Sequence, residues 1–373
     1  MTMTMTRTGG GKMVAVTPFN IPRDPLMGSN HLTAVRWLLA SLVALGHVYL
    51  LTTAYEPVRV HQWTGGYMAV NGFFVLSGML IAKSLDLRRD LKMYAISRAL
   101  RIYPALIVLL LTFAFVFSTV FARPGGIDNA LSGDVWSYVV RVLFLGDPQN
   151  APSGIFAGNL EADFNGPLWT IRYEIAAYIM AAIGFAAGIL KSRLMTLAAF
   201  VIVQILYLAL PFMIDFSALP QGLLPLLRLS SAFLLGMCLW QWPRARRPHW
   251  LLVLGAIVAF LFLGGGFGGE LLGTLALTGL MLRIGLSDTA HGSVVSLPDY
   301  SYGIYIWHYP VMQAVMFLRP DTGPLGLALM STPIWISMSA GSWHMIEKPA
   351  LRLKPKKRRK AAVMSENQGA EHP

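Results

Sequence analysis

A single cysteine, Cys238, stands in 373 residues, and it lies inside an apolar run. That excludes an intramolecular disulfide and a cysteine-rich metal site. Charge is also scarce: 13% of residues are charged, and 18 acids stand against 30 bases. With 55% hydrophobic residues, a chain of this length cannot hide its apolar surface from water, so it reads as a polytopic membrane protein. The net charge of +12 does not indicate nucleic acid, because the bases gather between apolar runs and in the C-terminal tail, where they orient a membrane protein. The polar stretch Met1 to Asn30, with its Thr-Met repeat, lacks the apolar core and small-residue cleavage site of a signal peptide and reads as disordered. Met13 and Met27 are alternative starts. Neither an internal repeat nor a heptad pattern is present.

Apolar runs occupy 33–53, 66–84, 101–121, 168–190, 194–213, 223–242, 250–264, 269–287, 299–318 and 325–346. The expected fold is all-α, a polytopic membrane bundle of about ten transmembrane helices. The glycines at 264–266 and 268–269 mark a tight hairpin. Basic residues follow the second run (Lys83, Arg88, Arg89, Lys92, Arg98, Arg101), the fourth (Lys191, Arg193), the sixth (Arg244, Arg246, Arg247) and the tenth (Lys354 to Lys360). The opposite loops carry few: Arg59, Arg123, Arg141 and Arg319. Both termini are therefore expected in the cytoplasm. Three segments result: a cytoplasmic N-terminal segment 1–30, a transmembrane domain 31–349, and a solvated tail 350–373 held to anionic headgroups. In the long outer loop 122–167, the apolar stretch 135–145 is too short to span and is expected at the interface.

Ionisable residues at membrane depth are costly and usually serve chemistry or transport. The first run holds two, Arg36 and His47, eleven residues apart. That is close to three turns, so they share one face about 16 Å apart. Glu174, in the outer half of the fourth run, comes out at the same depth as His47 and is its expected partner, fixing the tautomer and raising the basicity of the ring. Arg98 and Arg101 share a face and can clamp one polyphosphate; the same placement also suits ordinary inner-face arginines. His308 sits in an aromatic helix with a supporting role, and Pro310 frees a carbonyl one turn earlier. Trp169 and Tyr173 suit interface anchors, whereas Arg172 needs a partner or a polar cavity. Glu347 and Lys348 mark a helix end at the inner surface, and Ser77-Gly78 offers a small surface for close helix approach.

Taken in order, Arg36-x10-His47, Gly72-Phe73-Phe74-Val75-Leu76-Ser77-Gly78, Arg98-x-x-Arg101 before Ile102-Tyr103-Pro104, Leu168-Trp169-Thr170-Ile171-Arg172-Tyr173-Glu174, and Tyr302-x-x-Tyr305-x-Trp307-His308-x-Pro310 give the chain a resemblance to the membrane acyltransferase-3 family, from about His31 to Pro349. The resemblance implies transfer of an acyl group, most often acetyl, from cytoplasmic acyl-CoA to a glycan or other hydroxyl acceptor at the outer face of a bacterial inner membrane. It implies His47 as catalytic base, and Arg36, Arg98 and Arg101 at the donor. From the residues themselves, Glu174 is expected beside His47 as a catalytic partner, and Trp169, Arg172, Tyr302 and His308 are expected to serve the acceptor or support the site. No metal is expected, and the partners are acyl-CoA, the acceptor and lipid, not nucleic acid. Some family members carry a fused extracytoplasmic hydrolase-like domain, for which this chain leaves no room; the thirty residues before the first run have no evident role. Two other classes compete: a proton-coupled transporter or flippase using His47 and Glu174 as a relay, and a haem protein with His47 and His308 as axial ligands. A transporter should carry broken helices or an inverted repeat, and neither is evident.

Overall fold

The computed structural model describes residues 5–7, 13–15, 26, 30–161, 163–214, 219–266, 268–287 and 297–354. The expected disorder of 1–30 and the tail beyond Lys354 fall outside these residues, apart from a short strand pair, Met5–Arg7 with Met13–Ala15. Apart from a second short pair, Arg59–Val60 with Trp63–Thr64, and an isolated bridge between Ala122 and Ile155, the regular structure among the described residues is helical. In chain order the main helices are α1 Leu32–Thr53, α2 Gly65–Arg88, α3 Leu91–Thr112, α4 Gly133–Leu145, α5 Ile171–Ala186, α6 Arg193–Met213, α7 Leu223–Gln241, α8 Trp250–Leu263, α9 Gly269–Gly285, α10 Ser301–Leu318 and α11 Pro324–Ser342. One wide turn, Phe113–Phe117, carries α3 on to Val120, and another, Trp343–Glu347, carries α11 on to Arg352.

Each of the ten apolar runs lies on a helix, because a backbone in lipid must satisfy its polar groups within the segment. Five helices are long and apolar enough to cross a membrane: α1, α2, α3 with its extension, α6 and α7. The other five are shorter or more polar. The stretch expected at the interface is α4, capped by Ser132, whose side chain accepts from the Val135 N–H.

Helix α3 starts ten residues before its apolar run. Asp90 caps it, accepting from the Met93 N–H, and Lys and Arg are good helix formers. Arg98 and Arg101 therefore lie inside the helix, not ahead of it.

Helix α2 packs along α7 at very short range. A Cβ on Gly78 would sit 1.9 Å from the Phe233 carbonyl oxygen, and one on Gly236 would sit 2.0 Å from that of Val75. The two glycines are the reason the backbones can meet, as the small surface at Ser77-Gly78 suggests.

Two rungs hold α1 against α10. At the inner end Arg36 donates to Asp299, Trp37 donates to the Pro298 carbonyl at 3.0 Å, and its ring stacks on Tyr300. Eleven residues further along α1 and nine beyond Asp299, His47 meets His308. The two helices thus run in the same direction. The shared face of Arg36 and His47 is real, and it faces α10.

Candidate active site

Nδ1 of His47 lies 2.8 Å from Nε2 of His308, and Nδ1 of His308 lies 2.8 Å from the Ile304 carbonyl oxygen. A carbonyl only accepts, so His308 Nδ1 carries a proton. In the neutral ring Nε2 then holds a lone pair. His47 Nδ1 must donate to it, which leaves the lone pair of His47 on Nε2. That atom makes no hydrogen bond among the described residues, and the side chain is half-buried. His308 is completely buried. The arrangement is a base oriented by a second ring: when His47 takes a proton, His308 still accepts from Nδ1–H and holds the imidazolium in place.

The separation also answers the haem reading. It is a hydrogen-bond distance, whereas two imidazoles on opposite sides of one metal hold their nitrogens roughly 4 Å apart, at about 2 Å per bond.

Glu174 is not the partner of His47. It accepts from the Tyr178 hydroxyl one turn along α5 and lines a cavity with Arg36, Arg98 and Arg101. Counting residues from the ends of two separate runs assumed that both helices start at one level. A short 3-10 turn, Gly166–Thr170, precedes α5 and shifts that level. Glu174→Gln is accordingly expected to leave the acidic limb of the pH–rate profile unmoved, since the charge removed does not face the histidine. A profile displaced to lower pH would restore the pairing with His47.

The cavity measures about 300 Å³. Its inner end is a cluster of cations around one acid. Asp299 accepts from Arg36, from Arg101 Nη2 at 3.0 Å and from the Ser301 hydroxyl at 2.6 Å. Burial alone would push the Asp299 carboxyl up, but the guanidiniums of Arg36 and Arg101 hold it well below the usual carboxylate range. Arg101 also donates to Glu347 at 3.4 Å. Arg98 makes no ion pair among the described residues, and its guanidinium lies over the Tyr178 ring. Lys354 joins the lining. Burial first, then the charges of Arg98, Arg101 and Arg88, bring its ammonium down to about 8. An ammonium held down by neighbouring cations marks a place where an added anion would be welcome. Lys354 thus lines the cavity.

At its other end the cavity is closed by Thr170 and Tyr305, whose hydroxyls are 2.6 Å apart. The His308 ring lies 6.4 Å from that of Tyr305. His47 is beyond this closure and does not line the cavity. Tyr302 does, and its hydroxyl donates to the Ile102 carbonyl at 3.0 Å. Arg172 and Trp169 stand elsewhere. Arg172 faces Asp147 at 3.9 Å, and Trp169 packs edge-on to Tyr173.

Outside the histidine pair, the loop after α4 folds onto α10. Asn165 donates to the Ile306 carbonyl at 2.9 Å, the acceptor that Pro310 leaves without its helical partner. The freed carbonyl was expected from sequence; its partner was not. Asp299 also escaped the sequence reading. An acid at the inner start of the ninth run, on a strongly basic side of the chain, was the signal for it.

Comparison with known proteins gives one consistent result. A family model described as "Acyltransferase domain" matches residues 30–342. An O-acetyl transferase of Shigella phage Sf6 is 27% identical over 346 residues, 88% of this chain and 98% of the relative. Nodulation protein 10 of Rhizobium leguminosarum bv. viciae is 24% identical over 310 residues, 76% of this chain and 81% of its own length. Acyltransferase MdmB of Streptomyces mycarofaciens is 29% identical over 153 residues, 40% of this chain and 37% of the relative. No solved structure matches.

Proposed function

We propose, since the chain belongs to the acyltransferase family whose model spans residues 30–342, that this multi-pass membrane acyltransferase moves an acyl group, acetyl first among the candidates, from acyl-CoA to a hydroxyl of a glycan at the opposite face of a bacterial inner membrane. The proposal includes ten spans with both termini cytoplasmic, which the distribution of Lys and Arg supports.

One observation carries the chemistry: the hydrogen-bond chain from Ile304 through His308 to His47 leaves a single free lone pair, on His47 Nε2. The donor's phosphates would lie at Arg36, Arg98, Arg101 and Lys354, where a polyanion can exchange with Asp299 for the two arginines it holds. The pantetheine arm would pass Glu174 and displace the Thr170–Tyr305 closure to reach the histidines. The acceptor O–H then gives its proton to His47 Nε2 while its oxygen attacks the thioester carbonyl. A C–O bond forms, the C–S bond breaks, and the CoA thiolate leaves and takes up the proton from His47. Glu174 belongs to the donor arm in this scheme, and Tyr302 supports the cavity through Ile102.

Arg98→Ala is the clean test of the donor end, because no ion pair among the described residues is lost with it. Losing one charge-assisted contact to phosphate costs about 1.5–3 kcal/mol, so affinity for acetyl-CoA should fall on the order of tenfold or more. Arg101→Ala should fall at least as far, since it also unsettles Asp299 and Glu347. Lysine at position 98 should rescue only partly, lacking the planar fork. Calorimetry showing wild-type donor affinity in both alanine variants would remove these arginines from the donor site.

A further inference from the structure

Beyond the histidines, on the side away from the cation cluster, the chain builds a wall that the transfer chemistry has not yet used. The segment from Asn159 to Pro167 is strapped along the outer half of α10. The Asn159 side-chain amide donates to the Gln313 carbonyl and to its Oε1, at 2.9 and 2.7 Å. Gln313 in turn donates to the backbone carbonyls of Glu161 and Asp163, both at 2.7 Å. Nearer the membrane centre, Tyr305 donates to the Pro167 carbonyl. These bonds fix the strap's backbone and leave the Asp163 carboxylate exposed, with no hydrogen bond of its own among the described residues.

Tyr309 connects this wall to the base. Its ring meets His47 edge-on, 5.1 Å between centroids. The residue is only 3% exposed, yet its hydroxyl has no hydrogen-bond partner among the described residues. That oxygen and the Asp163 carboxylate converge on Gly166: a Cβ built there would lie 3.6 Å from Tyr309 Oη and 3.9 Å from Asp163 Oδ2. Tyr309 thus links two groups without a hydrogen-bond partner among the described residues: its ring touches that of His47, and its hydroxyl stands with the Asp163 carboxylate over Gly166.

We infer that Tyr309 and Asp163 form the acceptor subsite, and that its ligand is an uncharged sugar ring presenting neighbouring hydroxyls. One hydroxyl would lie at His47 for acylation. The adjacent one would donate to Asp163 and accept from Tyr309. This rests on the acyltransferase reading and names the acceptor class within it. Charge gives the discrimination. Asp163 and Glu161 stand together on the rim, and Arg172 on the outer side is occupied by Asp147. An anionic sugar would meet two carboxylates there, and like charges brought together are a repulsive element of specificity.

The test uses full-length protein reconstituted in liposomes, [¹⁴C]acetyl-CoA, and a panel of methyl pyranosides of several configurations, each paired with its uronate. Wild type should acetylate neutral members and prefer each over its uronate by about tenfold or more in kcat/KM. Asp163→Asn should lower kcat/KM for the neutral sugar by about tenfold, mainly through KM, the size expected for one hydrogen bond to a charged group. The same variant should narrow the gap to the uronate, and Tyr309→Phe should lower acceptor kcat/KM without narrowing it. Neither should change the KM for acetyl-CoA. Wild-type acceptor kinetics in both variants would overturn the subsite, as would an equal or better rate with uronates. If acetyl-CoA is consumed but no pyranoside is acetylated, the sugar assignment fails and the acyltransferase reading stands. If wild type consumes no acetyl-CoA, the reading beneath it fails as well.

Discussion

Replacing His47 with alanine is expected to cut acyl transfer by about 10²–10⁴-fold, the usual worth of a positioned general base, while acetyl-CoA affinity holds. The cause lies in the proton inventory: no other unengaged nitrogen base accompanies the histidine pair among the described residues. His308 separates chemistry from packing. In His308→Leu nothing accepts from His47 Nδ1, the other tautomer becomes available, and Nε2 is then protonated and useless as a base. In His308→Gln the side-chain carbonyl can accept from Nδ1–H, so part of the rate should survive. The expected order is wild type, then Gln, then Leu, with His47→Ala lowest. Equal rates for Gln and Leu at position 308 would show that the tautomer is set by some other contact. Substantial residual transfer in His47→Ala would end its role as base.

The second large effect is expected at Asp299. This carboxylate is the shared counterion of Arg36 and Arg101, and the three side chains are only 15–22% exposed. Asp299→Asn leaves two guanidiniums facing each other, with Glu347 the remaining acid on Arg101. Breaking a buried pair by removing one partner costs about 3–5 kcal/mol, and partial exposure puts this case near 3. The ligand-free variant should therefore melt well below wild type. Acetyl-CoA should recover more of the loss than it adds to wild type, because an anion fills the vacated place. The folded-state pKa of Asp299 is depressed, so its contribution is complete above the unfolded carboxylate value of about 4 and fades only as the pH drops below it. Wild type should thus keep its advantage across pH 5–8. A variant that melts with wild type, with or without donor, would mean that the arginines are neutralised elsewhere.

Much of the fold could be read along the chain. Hydropathy marks the ten runs that become helices, and the period of the helix puts Arg36 and His47 on one face. Pro310 announces a carbonyl in need of a donor. Reading stopped where two helices had to be set side by side. The depth of Glu174 was estimated from the end of its own apolar run, and the 3-10 turn before α5 broke that scale. Lys354 looked like one more base in a cytoplasmic tail, because nothing local says that the end of α11 turns back to the cavity. Asp299 carried a weak signal of composition, and its two partners could not be guessed.

Sequence alone determined the solvent, the helices, the family motifs and the face on which a base would stand, because each of these is written in spacings of a few residues. Tertiary structure decided who meets whom. His47 finds His308 across 261 residues, and Arg36 finds Asp299 across 263. Those pairings depend on α1 packing beside α10 in parallel register, which in lipid is set by close-fitting side chains and interhelical hydrogen bonds and not by any local pattern in either helix.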